Sequence, residues 1–406
     1  MSRVTLFVRG ETAPLGVANL DANGGPNSMK RRPWLKWIDH VLSIMFAVNP
    51  RERPRRGRAL VLRLDHIGDF MMSVPAVRYL KEKAGFQRVD VLVGSWVGDL
   101  ARVIPVVDDV LVYDAPWWVR ARGGDWRQYL AAWRKMKGVR RLIRAKDYDY
   151  IVDLRGDLRH ILWLMHGTGA YTIGSSRTGG ERLVHLAVSV PQGPMTVPRE
   201  SLKLVETAFP SDGGGEEYLV PPLRIGPRNQ KTIRVGIHLG ARVKLKEWPY
   251  VRYAALADSI RQKWPDSRFV LFAGSDRGAA FEETLRAFRH HGLDVSGYFG
   301  EPWPTVVAAL AECTVVIGPD TALGHIAGAV GVPTVTLFGP AQPDRFLPVG
   351  PMSRWVYVLQ PCSPCLQIHC PYQTADHVPV CMDTISVESV AQIVRQILQE
   401  LQEGVG

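Results

Sequence analysis

Short apolar runs rich in β-branched residues alternate along the chain with longer amphipathic stretches. Runs of strand length lie at 59–64, 89–93, 110–113 and 150–154, and again at 234–239, 269–273, 314–317 and 334–338. Helical periodicity lies between them. In 70–83, Met71, Val74, Val77 and Leu80 share one face, and from the cap at Ser386 the residues Val387, Val390, Ala391, Val394, Ile397, Leu398 and Leu401 keep i, i+3, i+4, i+7 spacing. Such alternation predicts parallel sheets covered by helices, an α/β fold. The periodicity fades over 191–231, around Ser211-Asp212-Gly213-Gly214-Gly215 and Pro221-Pro222, and restarts at Arg234. The expected organisation is therefore an N-terminal domain over 59–190, a linker over 191–231, a C-terminal domain over 232–385 that includes a Cys-rich segment at 362–381, and a last helix within 386–406. A cleft is expected between the two domains.

The chain before 59 reads differently. Residues 1–29 carry no periodicity, and Asn23-Gly24-Gly25-Pro26-Asn27 marks a disordered leader, with Met29 as an alternative start. Residues 30–58 place Trp34, Ile38, Val41, Leu42, Met45 and Phe46 at helical spacing between clusters of Lys and Arg. Lys36, Asp39 and His40 interrupt the apolar stretch and no small-residue cleavage site follows, which argues against a signal peptide. The expectation is a basic amphipathic helix on the inner membrane surface; an ordinary helix packed on the first domain is the other reading. A second basic stretch, Trp126 to Arg144, holds Arg127, Arg134, Lys135, Lys137, Arg140, Arg141 and Arg144 together with Trp126 and Trp133. It suits an anionic glycolipid or a membrane face, or is a solvated cationic surface.

Charge and cysteine content narrow the function classes. The formal net charge of +11 points to an anionic partner. No RNP, zinc-finger or helix-turn-helix pattern accompanies it, so nucleic acid is not expected. The absence of a G-x-G-x-x-G after a strand, with an acidic residue further on, argues against a nicotinamide oxidoreductase. No stretch is long and apolar enough to span a bilayer. Five cysteines, four of them near the C-terminus, are no secreted disulfide framework for 406 residues, and a cytoplasmic, peripheral location is expected.

Candidate chemistry gathers at strand ends. In IGPDTALGHIAGAVGVPTVTLFGP, Ile317 to Pro340, a strand stops at Gly318-Pro319 and a small-residue helix follows, so Asp320, Thr321 and His325 line a helix start. Backbone N–H groups there suit a phosphate-bearing ligand, with Asp320 available to a hydroxylated portion such as a ribose. The plainer reading is that Asp320 and Thr321 cap the helix and His325 packs in the sheet. The strand at 59–64 leads into a loop, Asp65-His66-Ile67-Gly68-Asp69, and puts a carboxylate at the next helix start. The strand at 150–154 leads into DLRGDLRH, which offers Arg155, Asp157 and Arg159 to the same cleft.

Three segments then add up to a family. ALVLRLDHIGDFMMSVPAVRYLKE (59–82), VGIHLGARVKLKEWPYVRYAALAD (235–258) and IGPDTALGHIAGAVGVPTVTLFGPAQPDR (317–345) together resemble glycosyltransferase family 9, the ADP-heptose:lipopolysaccharide heptosyltransferases. The resemblance covers roughly 59–400. It implies two Rossmann-like domains of the GT-B type, with the donor nucleotide in the C-terminal domain and the acceptor facing the N-terminal one. It further implies a heptose or related sugar passing from an ADP-sugar to a lipopolysaccharide-core or related anionic glycolipid acceptor, with inversion and no cofactor required for catalysis. Asp69 is then the general base, with Asp65 as competitor. Lys246 pairs with the donor diphosphate, and Asp320, Thr321 and His325 hold the donor. Arg242 stands where relatives often carry small hydroxyl residues, so phosphate contacts there pass from hydroxyl to guanidinium or are lost. A relative that glycosylates a protein, uses another nucleotide sugar, or only binds one remains the alternative. Cys362, Cys365, Cys370 and Cys381 begin with a CxxC; a structural iron or zinc site on these four thiolates, as in some relatives, stands beside the reading of reduced thiols in a Pro-rich loop.

Overall fold

The computed structural model describes residues 45–118, 126–175, 180–189, 195–213, 215–219, 232–350, 352–365, 367 and 369–404. Two six-stranded sheets carry the chain. The first comprises β1 (Arg58–Arg63), β2 (Arg88–Val93), β3 (Asp109–Val112), β4 (Tyr150–Asp153), β5 (Tyr171–Ser175) and β6 (Leu186–Val188), in the order β3-β2-β1-β4-β5-β6. The second comprises β7 (Arg234–Leu239), β8 (Arg268–Ala273), β9 (Val295–Phe299), β10 (Val315–Pro319), β11 (Thr334–Phe338) and β12 (Ser353–Tyr357), in the order β12-β11-β10-β7-β8-β9. Neighbouring strands pair parallel in both sheets.

Counted from its own first strand, the second sheet repeats the order of the first. Each sheet therefore reverses direction between its first and fourth strands, β1 and β4 in one and β7 and β10 in the other. Ligands of doubly wound sheets bind outside the carboxyl ends of the strands at such a switch point. Topology alone thus singles out four loops, those after β1, β4, β7 and β10.

The main helices are α1 (Ile67–Glu82), α2 (Ser95–Arg102), α3 (Trp126–Ala145), α4 (Val197–Ala208), α5 (Tyr250–Lys263), α6 (Gly278–His290), α7 (Trp303–Ala311), α8 (Ala322–Ala329) and α9 (Val387–Gln402). α1 is buried on nearly every side, from Phe70 through Val77 and again at Tyr79 and Leu80, because it packs on the first sheet, on α4 and on α8 at once. One apolar cluster consequently runs through both halves: Met71, Val74 and Val77 of α1 belong to the same core as Leu323, Ile326 and Ala327 of α8. Between α2 and α7 the Trp303 indole N–H donates to the Trp96 carbonyl at 3.2 Å.

Several elements depart from the sequence reading. β5, β6, β9 and β12 were not anticipated: β6 is only three residues long, β5 and β9 are interrupted by Gly174 and Gly297, and β12 is partly exposed at the sheet edge. α4 lies inside the span read as linker and rests on α1. The sequence-expected leader at 1–29, and the amphipathic segment up to residue 44, lie outside the described residues. Of the remainder, Arg51, Arg53 and Arg56 each donate at 2.8 Å to a carbonyl of the first half, those of Gly169, Ala208 and Ala84. Those arginines stitch the entering chain to the domain instead of standing free for lipid. Among the described residues no helix is long and apolar enough to cross a membrane.

Candidate active site

The loop after β1 is built on a buried carboxylate. Asp65 is fully buried and takes Arg63 Nε at 3.2 Å and Arg155 Nη1, from the loop after β4, at 2.5 Å. Burial raises the Asp65 carboxyl above its ordinary range and the Asp69 charge adds to this, while Arg63 and Arg155 oppose it. Asp69 lies in the first turn of α1 and not in a loop before it, since the helix begins at Ile67. Its carboxylate accepts the His66 backbone N–H at 3.4 Å and faces Arg63 Nη2 at 3.7 Å. With its side chain 27% exposed against 0% for Asp65, Asp69 can meet a ligand and Asp65 cannot.

The loop after β4 is held from within. Asp153 accepts the backbone N–H groups of Arg155 and Asp157 at 3.1 and 2.8 Å and lies 3.0 Å from His160 Nδ1. Gly156 has φ of 72°, and a Cβ there would come within 2.8 Å of the Ser175 Cβ, so only glycine fits this turn. Arg155 stacks on Trp118 at 4.4 Å. Asp157 and Arg159 pair with each other at 2.6 Å, and Arg159 lies over Trp117 at 5.5 Å. Burial alone would raise the Asp157 carboxyl, but the hydrogen bond from Arg159 and the neighbouring His160 and Arg159 hold it below its ordinary range.

Across the molecule, the loop after β7 turns at Gly240, whose φ of 90° brings its backbone against the Arg277 side chain. Arg277 donates to the Ala241 carbonyl at 2.6 Å and to Glu247 at 2.9 Å, and Glu247 in turn accepts the Ala241 N–H at 3.0 Å. This clamp sets the stretch leading to Lys246. The Lys246 ammonium donates to the Asp320 carboxylate at 2.5 Å and to its carbonyl at 3.3 Å. Thr321, next along, hydrogen-bonds His238 Nδ1 of β7 at 2.9 Å instead of capping α8. His325 is buried, and its pKa is pushed down to about 4, chiefly by burial; His238 is lowered to about 4 for the same reason, with Arg277 adding to it. Both imidazoles are therefore neutral at pH 7.

The two loop systems meet. At Gly68, a Cβ would lie 3.6 Å from His325 Cδ2 and 3.8 Å from the Ala322 Cα, so the start of α1 abuts the start of α8. The Arg242 guanidinium crosses the same gap and lies 2.7 Å from His66 Nδ1. Two helix N-termini and Arg242 thus face one gap, with Arg155 held on Asp65 at one side of it and Lys246 on Asp320 at the other, a setting suited to an anion.

Sequence comparison agrees with this geometry. The family model for glycosyltransferase family 9 (heptosyltransferase) matches residues 136–376. The chain belongs to glycosyltransferase family 9. It is 24% identical over 344 residues to lipopolysaccharide heptosyltransferase 1 of Pseudomonas aeruginosa, a match spanning 79% of this chain and 89% of that protein. It is 28% identical over 116 residues to lipopolysaccharide heptosyltransferase 2 of Escherichia coli K12, spanning 28% of this chain and 33% of that one. Among solved structures, E. coli ADP-heptose lipopolysaccharide heptosyltransferase II superposes with a TM-score of 0.65 at 18% identity, over 85% of this chain and 99% of the other. A family 9 protein from Veillonella parvula gives 0.67 at 17%, over 87% and 100%. The GT-B arrangement of two α/β halves and the glycosyltransferase activity follow from this membership.

The cysteine tail brings its four thiols into one neighbourhood. Cys381 is buried and its thiol is pushed up to about 11, first by burial and then by the nearby Cys362, Cys370 and Cys365, while the Cys370 thiol donates to the Tyr372 carbonyl at 3.2 Å. Among the described residues no three His, Cys, Asp or Glu side chains are placed to hold a metal ion. The four cysteines nonetheless lie near one another, since Cys362, Cys365 and Cys370 all act on the Cys381 thiol. Sequence reasoning also missed Arg63, His238, Glu247, Arg277 and Trp118. Arg63 did leave a signal, as a lone charge before Leu64 in an apolar run, and Glu247 adjoins Lys246. Arg277 left none.

Proposed function

We propose that this family 9 enzyme transfers a heptose, or a related sugar, from an ADP-sugar to a lipopolysaccharide-core or related glycolipid acceptor, with inversion, at the inner face of a membrane. The observation that carries the reading is that the start of α1, which holds the accessible carboxylate Asp69, abuts the start of α8, which follows the Lys246–Asp320 pair. In the reaction the acceptor hydroxyl oxygen bonds to the anomeric carbon as the bond from that carbon to the diphosphate oxygen breaks; the hydroxyl proton passes to Asp69 and ADP leaves. Lys246 and the N-terminus of α8 oppose the charge that grows on the departing diphosphate. In this reading Asp320 and Thr321 exchange their present partners, Lys246 and His238, for donor hydroxyls, and neutral His325 avoids competing for the same charge. Arg155, Asp157 and Arg159 stand on the acceptor side. The relatives support the donor: an E. coli heptosyltransferase, WaaC, has been solved with ADP and with ADP-2-deoxy-2-fluoro heptose, and the curated relatives act on lipopolysaccharide by name.

The test is Asp69→Asn beside Asp65→Asn, assayed by acceptor-dependent ADP release from ADP-heptose. Asn keeps the contact to the His66 N–H, so the first variant is expected to fold and bind donor but to transfer about 10²–10⁴-fold more slowly. Near-normal transfer by Asp69→Asn would remove Asp69 from the mechanism. No acceptor-dependent release from any ADP-sugar by the unaltered enzyme would refute the donor.

A further inference from the structure

α3 is the least embedded long helix of the first half. Of its 20 residues only Ala132, Met136 and Ile143 are buried. A second row, Trp126, Tyr129, Leu130 and Trp133 at i, i+3, i+4 and i+7, shares a different face and is exposed to 63, 39, 43 and 37%. Trp163, itself 41% exposed, meets the Trp133 ring edge-on at 5.1 Å and widens that stripe. Arg140 and Arg144 lock it there, donating to the carbonyls of Trp163 at 2.9 Å and Gly167 at 3.0 Å. Arg134, Lys135, Lys137 and Arg141 are exposed and form no ion pair among the described residues, and α3 contains no carboxylate.

We infer that this face of α3, with Trp163, docks the protein on a bilayer of anionic phospholipid. Indole and phenol rings with one leucine, flanked by unopposed cations, have the composition of an interfacial helix: the rings enter the headgroup layer and the cations meet its phosphates. A second copy of the chain offers the wrong partner, since two such cationic faces repel. The face also leads to the active site. Trp133 contacts Trp117 at 5.9 Å, and the adjacent Trp118 lies under Arg155 and edge-on to His66 at 5.4 Å, beside Asp69. The start of the described chain reaches the Arg140 end of α3, where Phe46 packs on His166 at 5.5 Å and the His166 carbonyl accepts from Arg140 at 2.9 Å. In its consequence for the acceptor the inference rests on the proposed function: a lipid-anchored sugar held in that bilayer comes to the cleft beside Asp69.

The experiment is co-sedimentation of the full chain with vesicles of phosphatidylcholine alone or mixed with phosphatidylglycerol. It compares the unaltered protein with Trp126→Ser/Leu130→Ser and with Arg134→Gln/Arg141→Gln. Partitioning is expected only with phosphatidylglycerol, to weaken as salt rises, and to fall at least tenfold in each variant, each basic contact being worth roughly fivefold. Turnover of a soluble acceptor is expected to stay unchanged. Equal partitioning by the variants, equal partitioning onto neutral vesicles, or a change in oligomeric state as the sole effect of the substitutions would overturn the inference. If vesicle binding depends on α3 but no ADP-sugar is used, the docking surface stands and the proposed function fails.

Discussion

Lowering the pH from 7.5 to 5 is expected to destabilise the C-terminal half through two histidines, the buried His325 and the partly buried His238. His238 and His325 each have a pKa pushed down from 6.5 to about 4, with burial as the main cause. In the unfolded chain both return to 6.5. Between those values the unfolded state binds protons that the folded state refuses, so stability falls as pH falls through the window from about 6.5 to about 4 and is level outside it. For His325 the full displacement is worth about 3 kcal/mol at 1.36 kcal/mol per unit, of which about 2 kcal/mol is already lost at pH 5, and the partly exposed His238 contributes less. Carboxylates titrate in the same range, so the histidine contribution has to be isolated by difference. His325→Gln removes one titrating group while keeping a polar side chain of similar length, and urea unfolding of both proteins at pH 7.5, 6 and 5 gives the comparison. The stability gap between unaltered protein and variant should shift by about 2 kcal/mol in favour of the variant on going to pH 5. A gap that does not change with pH would mean that His325 is not held neutral by burial, and the picture of a dry, uncharged base to the donor loop would fall with it.

Lys246→Met should reduce turnover of the nucleotide sugar by an amount corresponding to about 3 kcal/mol of transition-state stabilisation, read from kcat/KM; it should also lower thermal stability, because Asp320, with a side chain only 8% exposed, loses its cation. Unchanged donor kinetics would take Lys246 out of the site. Arg277→Met removes the guanidinium from Glu247, which keeps the Ala241 N–H and the Tyr250 hydroxyl, and takes away its bond to the Ala241 carbonyl; it should cost about 2 kcal/mol in denaturant unfolding together with a raised KM for the donor, and a normal KM would show that the Gly240 turn keeps its shape unaided.

How much of this was legible depends on whether the information is local. The central strands, the last helix and the helix start at Asp320 stand out because apolar runs and helical spacing are properties of neighbouring residues. The edges were harder to see, since β9 and β12 are partly exposed and carry no continuous apolar run. α1 was begun three residues late because Ile67 and Gly68 read as loop; the bond from the His66 N–H to Asp69 that marks the true start depends on backbone geometry. The spacing of the cysteines left their side-chain directions open, and in the fold the Cys370 thiol turns to the Tyr372 carbonyl while Cys362, Cys365 and Cys370 stay close to Cys381.

The contacts that make the site are distant in sequence, yet two of them follow from strand order. Asp65 and Arg155 are 90 residues apart, and Lys246 and Asp320 are 74 apart. Each pair joins the loop after the first strand of a sheet to the loop after the fourth, and those strands are neighbours at the switch point of both sheets. Once a doubly wound order is assumed, charged residues at the ends of β1 and β4, or of β7 and β10, must face one another, and opposite signs there imply a pair. Arg242 with His66 obeys no such rule, being 176 residues apart and on different sheets. That contact depends on how closely α1 approaches α8, a distance set by the small residues Gly68 and Ala322 where the helices begin. The pairs within each half are therefore products of topology, whereas the contact between halves is a product of packing, and it is the packing that brings the helix start carrying Asp69 against the helix start that follows Asp320.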